Sequence, residues 1–283
     1  MDRRSFVNRL LLGACGAACL SRLGPPSVAL ARKRLSKIGV QLYTVRRELE
    51  ADFEGTLAKV AALGYREVEF AGYYNHAPAQ VRAALARNGL SAPSAHFQSV
   101  VASGGLREAI EAAKVIGHEY LVYAYLPAEE RKSLDDYKRL VERLNRAGEE
   151  CKRAGIQFGY HNHDFEFTPA EGVIPYDLIV EGTDAGLVKF ELDLYWITKA
   201  GRSPLAYFRK HPGRFPLVHV KDMDSTPRRY FTEVGRGTID FKEIFAASKQ
   251  AGIRHYFVEQ DETPASPFES IKASIDYLKR LEF

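Results

Sequence analysis

From residue 38 onward the apolar positions keep two rhythms in turn. Short runs rich in β-branched and aromatic residues predict strands at Ile38–Tyr43, Glu67–Ala71, Ser91–Phe97, Tyr120–Tyr125, Ile156–His161, Val188–Asp193, Pro216–Lys221 and Tyr256–Gln260. Between them the period lengthens to that of a helix. Phe53, Leu57, Val60 and Ala61 share one face, as do Leu140, Leu144, Ala147 and Cys151, and again Phe241, Ile244, Phe245 and Ser248. Gly64, Gly89, Gly117, Gly155, Gly186, Gly213 and Gly252 mark where a helix is expected to stop, because the residue after a helix often needs positive φ. Eight strands alternating with helices predict an α/β fold, a single (β/α)8 barrel over residues 32–283. An open doubly wound sheet is disfavoured by the count of eight and by the absence of a G-x-G-x-x-G turn.

The first 31 residues follow neither rhythm. Asp2-Arg3-Arg4-Ser5-Phe6-Val7 is a twin-arginine pattern, followed by an apolar run Leu10–Leu20 and a cleavage-like Ala29-Leu30-Ala31. That run is too short to cross a hydrocarbon core of ~30 Å, so no stable membrane insertion is expected. The segment reads as a removable signal that exports a folded protein to the periplasm by the twin-arginine route. Leu12-Gly13-Ala14-Cys15 loosely resembles a lipoprotein box, but its apolar lead-in is short, so lipid anchoring ranks below soluble export.

The leader also changes the charge and cysteine arithmetic. It carries four Arg and one Asp, so of the formal +4 only +1 belongs to the remaining chain. A body that close to neutral has no electrostatic footprint for nucleic acid. Cys15 and Cys19 lie in the leader, which leaves Cys151 alone and excludes an internal disulfide in the mature chain. At 46% hydrophobic and 27% charged, the 283 residues are those of an ordinary globular protein.

In such a barrel chemistry sits at the C-terminal ends of the strands. Strands five to eight end in Tyr160-His161-Asn162-His163-Asp164-Phe165-Glu166-Phe167, Glu191-Leu192-Asp193-Leu194, His219-Val220-Lys221-Asp222 and Val258-Glu259-Gln260. Strand alternation turns His161, Asp193, His219 and Glu259 inward, between apolar neighbours that face the helices. An inward polar group there needs a partner, and one divalent cation serves all four. Two imidazoles and two carboxylates suit Mn, Co, Fe, Zn or Mg and are too nitrogen-rich for a calcium cage.

These residues, with Gly39-Val40-Gln41-Leu42-Tyr43 and Gly235-Arg236-Gly237-Thr238-Ile239-Asp240-Phe241, resemble the xylose-isomerase-like sugar phosphate isomerase/epimerase superfamily of TIM barrels. The resemblance spans essentially the whole mature chain. It implies one metal held by Glu, Asp, His and Glu from strands five to eight, and Asp193, His219 and Glu259 match the last three. The first position departs, because His161 stands where many members carry Glu and Glu166 follows in the loop. Either His161 ligates or Glu166 folds back; rigidity of a strand position favours His161.

The resemblance implies a small carbohydrate substrate and enediolate chemistry on a keto sugar, leading to isomerisation, epimerisation or elimination. Glu259 is the expected base, with Glu166 or His163 returning the proton. Lys221 is expected either to neutralise an oxyanion or to pair with Asp222. His96 and Trp196 are candidate sugar contacts, with structural roles as the alternative for each, and Glu69 is read as a supporting residue on the barrel floor. The competing functions are a metal-dependent lyase or hydrolase of 3-keto glycosides and a non-catalytic sugar-binding barrel; a DNA-repair nuclease lacks the basic face it would need. Homo-oligomerisation is left open.

Overall fold

The protein was analysed as a computed structural model that describes residues 33–97, 105–263 and 266–283, so the leader expected at 1–31 lies outside the described residues. Eight parallel strands close into a barrel: β1 (Gly39–Gln41), β2 (Glu67–Phe70), β3 (Ser91–Phe97), β4 (Tyr120–Tyr123), β5 (Gln157–His161), β6 (Val188–Asp193), β7 (Leu217–Val220) and β10 (His255–Val258). β1 pairs with both β2 and β10, which completes the ring. The intervening pair β8 (Asp222–Met223) and β9 (Phe231–Thr232) forms a short antiparallel ribbon after β7. All eight barrel strands coincide with the sequence expectation, with several ends one or two residues shorter and β10 beginning one residue earlier.

Two apolar layers hold this ring. The larger lies between strands and helices, where the stripe Leu140, Leu144, Ala147 and Cys151 of the helix Leu134–Arg153 is fully or nearly fully buried. The smaller is the cluster Tyr120, Val122, Leu217 and Phe257, whose members come from opposite sides of the ring and meet inside it. Gly39 is required there: a Cβ would lie 2.5 Å from the Phe257 ring. The barrel is therefore a filled core below and an open mouth above.

Six of the seven expected joint glycines, Gly64, Gly89, Gly117, Gly155, Gly213 and Gly252, take φ between 62° and 103°. Gly186 does not. Its helix, Pro175–Gly182, stops earlier at an extended Thr183, whose hydroxyl bonds back to the Ile179 carbonyl at 2.8 Å. A side chain has replaced the left-handed glycine as the stop signal.

Asp222 organises the loop that follows β7. Its carboxylate accepts from the backbone N–H groups of Met223, Gly235, Gly237 and Ile239 at 2.8 to 3.2 Å. Gly237 has no room for a side chain, since a Cβ would meet that carboxylate at 2.2 Å. The Gly235–Phe241 motif is thus a wrapped carboxylate, and Asp222 is not the partner of Lys221.

Candidate metal centre at the barrel mouth

His161 closes β5, Asp193 closes β6, His219 stands in β7 beside Asp193 in register, and Glu259 follows β10. One ligand atom from each lies within 4.8 Å of all the others, and all four residues are buried. The chain brings together the four side chains that alternation turned inward.

Each side chain is oriented by a second contact. His161 faces the Ala124 carbonyl through Nδ1 at 3.1 Å, which puts the proton on that nitrogen and leaves the lone pair on Nε2. His219 faces Glu69 Oε2 at 2.8 Å and Glu191 Oε2 at 3.2 Å through Nε2, so its free lone pair is on Nδ1. Asp193 uses Oδ1 to accept from the Tyr195 and Trp196 N–H groups, both at 2.9 Å, and turns Oδ2 into the cluster. Oδ2 then lies 3.5 Å from His161 Nε2 and 3.7 Å from His219 Nδ1. His161 Nε2, Asp193 Oδ2 and His219 Nδ1 are all buried without a well-formed hydrogen bond. These converging atoms stand on side chains anchored from behind, with ion-pair contacts from Asp193 Oδ2 to Lys221 Nζ at 3.1 Å and from His219 Nδ1 to Glu259 Oε2 at 2.9 Å, an arrangement that a cation site presents.

The charges agree. Lys221 Nζ sits 2.7 Å from Glu259, 3.0 Å from Asp261 and 3.1 Å from Asp193. Burial works against the ammonium, but those carboxylates outweigh it and hold its pKa well above the usual lysine value. Burial would likewise protonate Asp193 and Glu259, yet Lys221 and the neighbouring histidines hold both below the ordinary carboxylate range. Burial works against charge on His219 as well, but Glu191 and Glu259 hold its pKa well above the usual histidine value. Its Nδ1 lies 2.9 Å from Glu259 Oε2, so a proton stands there where a divalent cation would serve the same carboxylates. The site fits one divalent metal held by His161, Asp193, His219 and Glu259.

A second group, Glu69, His96, Glu191 and His219, lies just below on the same distance criterion. It differs in being largely satisfied. Glu69 accepts from Gln41 at 2.7 Å and from Ser94 and His219, while Glu191 accepts from His96. This is the carboxylate layer that holds the His219 ring, so Glu69 supports the site as expected. Glu191 and Asp261 were not singled out from the sequence. Glu191 was legible in principle, since it shares the inward face of β6 with Asp193.

The mouth opens into a cavity of about 730 Å³ whose lining includes His96, His161, His163, Trp196 and Glu259. His163 is packed edge-on to His161 and flat on Phe165, with interplanar angles of 88° and 7°. Burial, helped by His161 and Lys221, pushes its pKa well below the usual histidine value, so the ring is neutral at pH 7. Trp196 offers an indole N–H with no partner.

Glu166 is not brought to this cavity. Its Oε1 accepts from the Tyr160 hydroxyl at 2.8 Å and its Oε2 from the His163 N–H at 2.9 Å, on the helix side of β5. The structure therefore sets His161, not Glu166, at the fifth-strand position. Burial raises the Glu166 pKa to about 7. Its role on this geometry is to tie the loop that presents His163.

An anchored cluster of two imidazoles and two carboxylates at the C-terminal mouth of a (β/α)8 barrel stands where enzymes of that fold carry their chemistry. The chain belongs to the xylose isomerase-like TIM barrel family, whose profile matches residues 57–281. It is 27% identical to an inosose dehydratase of Geobacillus thermodenitrificans over 269 aligned positions, covering 81% of this chain and 90% of that protein. A crystal structure of a sugar phosphate isomerase/epimerase from Parabacteroides distasonis superposes with a TM-score of 0.73 at 29% identity, covering 86% and 93% of the two chains. The IolI protein, solved with a bound zinc atom, shares the fold at 15% identity and a TM-score of 0.69, covering 85% and 95%. Among the described residues no helix is long and apolar enough to cross a membrane.

Proposed function

We propose that the protein is a divalent-metal-dependent enzyme that enolises a keto sugar or keto polyol, using the four residues at the mouth. The observation that carries this reading is the convergence of one ligand atom each from His161, Asp193, His219 and Glu259 within 4.8 Å, all four residues buried. A cation bound there would act as a Lewis acid on the substrate carbonyl and adjacent hydroxyl, acidifying the neighbouring C–H.

The chain's own residues supply the rest. Glu259 lines the cavity as an ionised carboxylate and takes the proton from the carbon beside the carbonyl. Lys221, charged and fixed by three carboxylates, offsets the negative charge that develops on oxygen. His163 is neutral and lines the same cavity, so it gives or relays a proton where Glu166 does not reach.

Elimination is favoured over two-base epimerisation by the fifth-strand position. His161 occupies it and Glu166 faces away, so no second carboxylate flanks the substrate opposite Glu259 from that strand. Loss of a β-hydroxyl as water balances when the proton that Glu259 takes from carbon is delivered to the leaving hydroxyl, by Glu259 itself or through the neutral His163 ring, which takes up one proton as it passes one on. The naming of relatives as inosose dehydratases agrees with this reading. We further propose that the work is done in the periplasm, which N-terminal sequencing of exported protein beginning at Arg32 would support.

The decisive experiment is NMR of a keto-sugar panel in D2O with manganese-loaded protein. Deuterium is expected at the carbon beside the carbonyl, and in Glu259→Gln the exchange falls by about a thousandfold or more. Full retention in that variant removes the assigned base; no exchange with any member removes the enolising reading. Accumulation of an unsaturated product marks elimination, and an epimer without it marks epimerisation.

A further inference from the structure

The cavity has two unlike walls. Ligating and ionisable groups stand mostly on one, at the ends of β5, β6, β7 and β10, and His96 near the end of β3 is turned to them through its contact with Glu191. The other is built at the ends of β2 to β4 and on the helix Leu106–Ile116 from Ala71, Ala95, Phe97, Ala109, Leu121 and Ala124. Two tyrosines border it, each with its hydroxyl in one hydrogen bond: Tyr73 with His118 Nε2 and Tyr125, as acceptor, with Arg131, both at 3.0 Å. A sugar or polyol carries hydroxyls around its whole rim, and among the described residues those turned to the alanines, Phe97 and Leu121 would leave water without gaining a side-chain partner.

We infer that the apolar wall is a subsite for a ring-sized apolar substituent, so the substrate is a keto sugar joined to an aryl group rather than a bare polyol. Small side chains set the shape. Four alanines leave the wall recessed, and Phe97, Tyr73 and Tyr125 offer ring surface on which a planar group packs. The wall is continuous with the metal centre in one cavity, so a sugar held at His161, Asp193, His219 and Glu259 extends its substituent onto it. The inference rests on the enolising reading for turnover but not for binding.

The test therefore has two parts. Manganese-loaded protein is given the methyl and the phenyl β-glucoside, each oxidised to the 3-ketone, and KM and kcat are measured for deuterium exchange. The phenyl compound is expected to show a KM about tenfold or more below that of the methyl compound with kcat little changed. Saturation-transfer NMR with unoxidised phenyl β-glucoside, which cannot enolise, reads contact directly. Saturation is expected to be strongest on the aromatic protons and to fall in Ala109→Phe, which fills the recess. Equal KM values, or saturation no stronger on the aromatic than on the sugar protons, overturn the inference. Failure of exchange with both ketones, while the aromatic protons still receive saturation, overturns the enolising reading and leaves the subsite standing.

Discussion

The two sides of the barrel mouth differ although both are made of the same repeated unit. Strands β5, β6, β7 and β10 end in residues that carry charge or a lone pair, and nearly every such atom is aimed by a contact behind it. Strands β2 to β4 end mostly in alanine, glycine and aromatic rings, with His96, held by Glu191, as the one histidine among their described residues in the cavity lining. One side fixes direction and the other provides volume. A repeated fold therefore becomes a site when unlike strand ends face each other across the mouth.

The sharpest way to break this comparison is to remove a ligand from the charged side without disturbing its anchoring. Asp193→Asn keeps an oxygen for the Tyr195 and Trp196 N–H groups while losing the charge at Oδ2. Metal retained after dialysis should fall from one equivalent to near zero, with exchange activity down about a thousandfold. Elemental analysis beside a thermal melt checks both loss of metal and retention of fold; undiminished metal content would refute the ligand assignment.

Buried titrating groups on the two sides should drive stability in opposite directions. Glu166 has a folded pKa of about 7 against an ordinary value of 4.5, so the native state binds the extra proton. Its contribution is complete below pH 4.5 and is lost as pH rises through 7, about 3 kcal/mol in all. Glu166→Gln keeps an oxygen acceptor for the His163 N–H, meets the Tyr160 oxygen with an amide N–H in place of the accepting Oε1, and should abolish that decline. His118, behind Tyr73 on the apolar side, is pushed by burial to about 4. Its contribution is complete above pH 6.5 and is lost as pH falls toward 4. Urea titrations across pH 4 to 8 test both slopes; a wild-type profile unchanged by Glu166→Gln would contradict the first.

A smaller effect is expected one layer below the ligands. Glu69→Gln leaves a neutral acceptor for His219 Nε2–H, so the ring stays in place while its basicity drops. Cobalt or zinc affinity measured by calorimetry should weaken about 10- to 100-fold. An unchanged affinity would mean that packing alone orients His219.

Much of the fold was legible because its signals are local. A period of 2 or 3.6 needs only neighbours in the chain, and the helix stop at Gly64 or Gly252 needs only one residue's φ. Gly186 failed as a joint because the Thr183 hydroxyl, four residues from the carbonyl it engages, ended that helix first. The convergence of His161, Asp193, His219 and Glu259 was legible for the same local reason, all four being polar residues on the inward face at strand ends. Glu166 was misleading: its sequence distance from His161 is short, but the Tyr160 hydroxyl on the opposite face captures it.

What the sequence determined by itself is the barrel, the strand ends that carry chemistry, and the residue types available there. Only the tertiary structure decided which nitrogen of each histidine is free, that Lys221 answers to Asp261 rather than its neighbour Asp222, and that an apolar wall faces the metal centre. The physical reason is the range of the interactions. Alternation is set within a strand, whereas the His219–Glu69 contact joins residues 150 apart, and such partners are chosen only when the ring of strands closes.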